Sequence, residues 1–218
     1  MAIALSSETA ETAADREPLR DRKKRRTRDT IVASALRLFA EQGYDATSVE
    51  AIADAAEVSP ATVFRYFRTK DDIIFSERHR AGERLAPAIA ARPSAESDVT
   101  AVTAALREVF AQDDQTPERV SLLVAAAATS VVLRGRAAEV IAQWEQAIAE
   151  GLAHRHGTAV TDRSARMQAA FLMTALQFAV GEWLQNHQRA HFLDHLEDTF
   201  AAFADTVARW SRSEPPSM

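Results

Sequence analysis

The sequence contains no cysteine. That absence excludes a disulfide scaffold, a thiolate zinc site and a cysteine nucleophile together, and it fits a reducing compartment. Glycine and proline are scarce, at 6 and 7 of 218 residues, and they fall mostly between periodic segments. No run of alternating β-branched residues is long enough to read as a strand. Long apolar runs are missing too. The stretch from Leu122 to Leu133 is too short and too rich in alanine to cross a bilayer. Met1 to Pro18 carries Glu8, Glu11, Asp15 and Glu17 where a secretory leader would have a basic patch and an apolar core. A cytoplasmic chain with no membrane partner is expected.

What is present is alanine, leucine, glutamate and arginine in helical periodicity. Hydrophobic residues make up 47% and charged residues 26%, a balance that supports a buried core rather than a disordered chain. The expected fold is all-α with about nine helices. Residues 1–19 and 213–218 lack periodicity and read as tails. Between them, 20–79 reads as one domain and 80–212 as a second, larger one.

The net charge of −5 argues against a nucleic-acid partner until the charge is located. Over 20–28 the cations Arg20, Arg22, Lys23, Lys24, Arg25, Arg26 and Arg28 face a single acid, Asp21. A short basic arm on an acidic body is the footprint of local phosphate contact. Taken alone, such a run is more often a solvated surface, so its neighbours decide.

A first helix is expected over about 27–42, with Ile31, Ala35, Leu38 and Phe39 on one face and Gly43 ending it in the left-handed region. Thr47-Ser48 begins a second. Ser59-Pro60 begins a short third that ends near Phe67: a capping hydroxyl followed by a proline whose missing N–H costs nothing there. A fourth runs from near Lys70 to Arg92, with Pro87 near its end. Further helices are expected near 97–112, 117–133, 136–155, 162–187 and 191–211, with Gly135 and Gly157 among the breaks.

Two short helices with shared apolar inward positions, separated by Ala56-Glu57-Val58, have the helix-turn-helix layout. In that layout the second helix enters the major groove. Ser59, Pro60, Ala61 and Thr62 are small enough to let the backbone approach a duplex. Arg65 carries the side chain suited to guanine, and Tyr66 and Lys70 stand where phosphate would lie.

The run LRLFAEQGYDATSVEAIADAAEVSPATVFRYFRTKDDII, within about 31–75, resembles the DNA-binding domain of tetracycline-repressor (TetR) family regulators. The matched pieces are Leu38-Phe39, Gly43-Tyr44, Thr47, Ile52-Ala53, Val58-Ser59, Thr62, Tyr66-Phe67 and Lys70. The resemblance implies a three-helix reading domain joined by a long fourth helix to a helical ligand-binding and dimerisation domain. It implies DNA contact at Ser48, Pro60, Ala61, Thr62, Phe64, Tyr66 and Lys70, to which Arg28, Thr47, Ser59 and Arg65 are added from the residues themselves. Two positions depart from the pattern. Phe64 stands where tyrosine is frequent, and Glu57 where glycine is.

Downstream, Leu193, Leu196, Phe200, Phe203, Val207 and Trp210 recur at alternating spacings of three and four, a stripe that faces another helix. The preceding segment is apolar nearly all round, which requires cover on both sides. With Met173, Val180 and Leu184, the first five residues of that stripe form the expected dimer interface. A small effector is expected in a pocket lined by Leu106, Phe110, Trp144 and Ile148 with Met167, Gln168, Phe171, Thr174, Gln177 and Phe178, each of which is otherwise plain core. The pattern around Trp144 and Trp183 resembles regulators with lipophilic ligands.

His187, His191 and His195 recur every four residues, but no acid completes a metal set, and no metal is expected. No nucleophile elbow or phosphate-cradling loop is visible, so neither catalysis nor a cofactor is expected. The function expected is a ligand-responsive regulator, most simply a repressor of a neighbouring operon, that binds a palindromic double-stranded DNA operator as a homodimer. The alternatives are an architectural DNA binder that senses nothing and a helical enzyme.

Overall fold

The computed structural model describes residues 18–111, 117–185 and 192–212. The tails read as 1–19 and 213–218 lie outside the described residues, except Pro18 and Leu19. Nine helices and no strand occur among the described residues: α1 (Leu19–Gln42), α2 (Val49–Ala55), α3 (Pro60–Tyr66), α4 (Asp72–Ala90), α5 (Asp98–Ala111), α6 (Pro117–Thr129), α7 (Val131–His156), α8 (Arg163–Gln185) and α9 (Phe192–Arg212).

Serines begin several of these helices. Ser48 accepts the Ala51 N–H and Ser59 the Thr62 N–H, each satisfying a donor that the first turn leaves without a partner. Three expectations were displaced. The first helix begins eight residues earlier than periodicity predicts, because Lys and Arg are strong helix formers even without an apolar face. The break between α6 and α7 falls at Ser130, not Gly135. Ser130 is buried and its hydroxyl accepts the Leu133 N–H, whereas Gly135 lies inside α7 with open space around its Cα. Gly43 ends α1 at φ 86° and ψ 155°, a positive φ but not the left-handed helical region.

Helices α1 to α3 close around Ile31, Ala35, Phe39, Ile52, Val63 and Phe67, all buried. Helix α4 then runs into the second domain and packs most extensively on α7. Two glycines permit that approach. A Cβ on Gly82 would lie 2.8 Å from Trp144 Cδ1, and one on Gly151 would lie 2.7 Å from Ile89 Cβ. Trp144 donates its indole N–H to the Arg78 carbonyl at 2.8 Å, and Gln143 donates to the His79 carbonyl at 3.2 Å. Helix α7 therefore grips the backbone of α4 at two successive residues. Helix α8 packs beside α7, and α9 packs on α8 and α5, with Leu176, Ala179, Leu196 and Phe200 inside.

Candidate nucleic-acid interface

Helices α2 and α3 meet at Ala56-Glu57-Val58. Val58 is half-buried against the core, and Glu57 has φ 54°, a left-handed conformation that strains any residue with a Cβ. The departure from glycine seen in the sequence is thus a real local strain. Val63 and Phe67, four residues apart, hold the inner face of α3 in the core.

The outer face of α3 is left open. Ala61, Phe64 and Arg65 are exposed with the caps Ser48 and Ser59, and Pro60, Thr62 and Tyr66 are half-exposed. Ser59 Oγ lies 2.9 Å from Thr62 Oγ1, so one hydroxyl donates to the other and the accepting one keeps its own O–H. The Arg65 guanidinium lies over the Tyr66 ring at 5.5 Å. Each of these eight residues is thus open to solvent in whole or in part.

Three predicted contact residues are placed differently. Thr47 is 1% exposed, and its hydroxyl donates to the Gly43 carbonyl at 2.7 Å; it closes the loop before α2 and has no face toward a duplex. Arg28 pairs with Glu77 on α4, donates to Ser76 Oγ at 2.6 Å and covers the Phe67 ring at 4.6 Å. Burial depresses its pKa, and the Glu77 carboxylate opposes that effect. Arg28 therefore staples α1 to α4 and is spent inside the domain. Lys70 donates to the carbonyls of Tyr44 at 2.6 Å and Thr47 at 2.9 Å, which uses two of its three donors. Burial lowers its pKa, and the carboxylates of Asp45 and Asp71 act the other way. Its first role is to lock the turn between α1 and α2.

The remaining cations of the arm, Arg20 to Arg26, are exposed along the first two turns of α1. The arm is a helical extension of the reading domain.

One positioning contact left no signal in the sequence. Arg136 at the start of α7 pairs with Asp71 at 2.6 Å and Asp72 at 3.5 Å, and so ties the second domain to the residues that follow Lys70. Arg136 also pairs with Glu139 at 2.6 Å within α7, but Asp71 and Asp72 are more than sixty positions away, beyond the reach of any local pattern.

The C-terminal assignments are partly exchanged. Of the predicted pocket residues, Leu106, Ile148 and Trp144 are buried, and Phe110 stacks on Trp144 with ring centroids 5.5 Å apart. Met167, Phe171 and Phe178 are instead 47%, 50% and 58% exposed, and Thr174 and Gln177 share their open face; only Gln168 is intermediate. Conversely, Met173, Leu196 and Phe200, predicted at a dimer interface, are 4%, 1% and 1% exposed and belong to the protein's own core. Val180, Leu184, Leu193 and Phe203 are half-buried, and Val207 is exposed. Helix α8 is apolar nearly all round, so the sequence did not say which side faced inward.

His187 and His191 lie outside the described residues, as does the side chain of Trp210. His195 Nε2 lies 3.9 Å from Glu182 Oε2, and no cluster of three or more metal-ligating side chains occurs among the described residues. No described helix is long and apolar enough to cross a membrane.

Comparison with known proteins decides the family. Residues 31–76 match the family model of bacterial regulatory proteins of the tetR family, and residues 85–208 match that of the MftR C-terminal domain. The chain belongs to the TetR family. It is therefore a transcriptional regulator with an N-terminal helix-turn-helix and not an enzyme. Among TetR-family proteins, it is 42% identical over 92 residues to the regulator TcmR of Streptomyces glaucescens, covering 42% of this chain and 41% of that one. It spans less than half the length of the curated relatives it matches. The fold is shared more widely. A TetR-family regulator from Syntrophomonas wolfei superimposes with a TM-score of 0.59 at 18% identity, covering 85% of this chain and 96% of that one. NalD, the secondary repressor of the MexAB-OprM efflux pump of Pseudomonas aeruginosa, superimposes at 0.58 and 17%, covering 83% and 96%.

Proposed function

We propose that this chain is a cytoplasmic repressor that binds a palindromic operator as a homodimer and is released by a small lipophilic molecule. The observation that carries the reading is the open outer face of α3 on a firmly buried inner face. A seven-residue helix held by Val63 and Phe67, with Ala61, Phe64 and Arg65 turned outward, is a rigid reader presented to solvent. Ser48, Ser59, Pro60, Thr62 and Tyr66 surround it, Lys70 keeps one donor for phosphate, and the helical arm adds exposed cations.

Two such readers must lie about 34–36 Å apart to enter successive major grooves, which requires two copies of the chain. The open stripe of Met167, Phe171 and Phe178 on α8, with Val207 exposed on α9, offers an apolar surface for that pairing. Release follows if the effector binds better to a conformer whose readers no longer match both half-sites. Phe110 and Trp144 are well placed for that role, since a molecule wedged against Trp144 would act on the α4 backbone at Arg78.

Selection of random duplexes by the purified protein, at one fixed salt concentration, tests the reading. A single inverted repeat is expected. Recovery of no repeat would leave an architectural DNA binder.

A further inference from the structure

Phe64 is 54% exposed on a helix whose other large apolar residues are covered. A solvent-facing phenylalanine in a seven-residue helix contributes nothing to the core that Val63 and Phe67 already fill. It lies three residues from Ala61 and four from Pro60, so the three share one face. The polar groups nearby have contacts of their own. The hydroxyls of Ser59 and Thr62 lie 2.9 Å apart and bond to each other, and the Arg65 guanidinium lies back over Tyr66. Within the outer surface of α3, Ala61, Pro60 and Phe64 therefore form an apolar strip of a methyl, a pyrrolidine ring and a phenyl ring.

That strip cannot exchange hydrogen bonds with guanine or cytosine edges. In the major groove the apolar group a base presents is the C5-methyl of thymine, and alanine and phenylalanine are among the side chains that pack on it. Duplex DNA is the occupant favoured by the flanking charge, since the exposed cations of Arg20 to Arg26 precede this three-helix head on the same first helix.

We propose that Phe64 is a specificity-determining residue that reads a thymine methyl at symmetric positions of the operator. This rests on the operator-binding reading above. Phe64, where a phenol would otherwise reach for phosphate, then contributes base selection in place of a backbone contact.

The test replaces thymine by uracil, which removes the methyl and leaves the Watson–Crick pairing and the hydrogen-bonding edge in place. In a duplex carrying the repeat selected by the wild type, each thymine and its symmetry mate are exchanged in turn, and affinity is measured for wild type, Phe64→Ala and Phe64→Tyr. One symmetric pair should weaken wild-type binding about fourfold per half-site, about fourteenfold for both, from one buried methyl each. Phe64→Ala should bind more weakly and lose the thymine-to-uracil difference at that pair, whereas Phe64→Tyr should retain it. A flat response of the wild type at every thymine, or an undiminished one in Phe64→Ala, overturns the proposal. Failure of the wild type to select any inverted repeat overturns the operator reading itself, and is seen before any base is exchanged.

Discussion

Arg136, at the start of α7, places its guanidinium 2.6 Å from the carboxylate of Asp71, the residue that precedes α4. Asp71 follows Lys70, whose ammonium holds the carbonyls of Tyr44 and Thr47 ahead of α2. Three successive links thus run from the C-terminal domain to the turn that sets the reading helices. A second strut pairs Arg119 on α6 with Asp29 on α1 at 3.8 Å.

Replacing Arg136 by Gln should therefore weaken operator binding more than it weakens the fold. The side chain is 31% exposed, so the pair itself contributes only about 1 kcal/mol to stability. Loss of register between the two heads should lower operator affinity by about tenfold, equivalent to about 1.4 kcal/mol. Arg136→Lys should recover part of it. Anisotropy titrations beside melting curves read both quantities. Unchanged affinity with an intact fold would remove the latch from the mechanism.

Charges on the open face of α8 should separate the protomers without unfolding them. Phe171 and Phe178 are half exposed in the isolated chain, so Phe171→Glu with Phe178→Glu removes little from its core. Each half-exposed ring buried against a second copy would contribute about 1–1.5 kcal/mol, and burying a carboxylate there instead is prohibitive. Sedimentation should show a folded monomer. A double variant that remains a dimer would place the interface elsewhere. Phe200→Glu, by contrast, should unfold the chain, because Phe200 is 1% exposed within its own core.

The reversal between these two sets of residues shows where the sequence was legible. Ser48, Ser59 and Pro60 announce helix starts because capping is local chemistry, and each appears where its residue type demands. Met173 and Phe171 could not be told apart in that way. Both are large and apolar, and only the approach of α9, with Phe200 buried beneath and Phe203 stacking on Phe171 at 6.3 Å, assigns one to the inside and one to the outside. Arg28 was misplaced for a related reason. Its charge belongs to a basic run, but its partner Glu77 lies 49 positions away on α4.

The arm should act through charge alone. Replacing Arg20, Arg22, Lys23, Lys24 and Arg26 by Gln keeps helix-forming side chains and removes five exposed cations. The slope of log affinity against log salt should flatten by about 0.9 for each phosphate no longer neutralised, with the selected repeat unchanged. An unaltered slope would show that the arm is only solvated.

Glu57→Gly should stabilise the protein. The left-handed conformation at φ 54° costs a residue with a Cβ about 1–2 kcal/mol, and glycine returns about 0.5–1 kcal/mol of that as added freedom of the unfolded chain. A net gain of about 0.5–1 kcal/mol should raise Tm by about 1–4 °C. A lower Tm would show that the exposed Glu57 side chain makes a contact the turn needs.

The central claim, that two copies of this chain read one inverted repeat together, is tested most directly by sedimentation with two duplexes. One carries the selected repeat intact, and the other carries it with one half-site scrambled. Two protomers should travel with the intact duplex, and scrambling one half-site should lower affinity by at least two orders of magnitude, because each mismatched pair costs about 1–3 kcal/mol and several are lost. A complex of one protomer per duplex, or equal affinity for the two, would contradict the account.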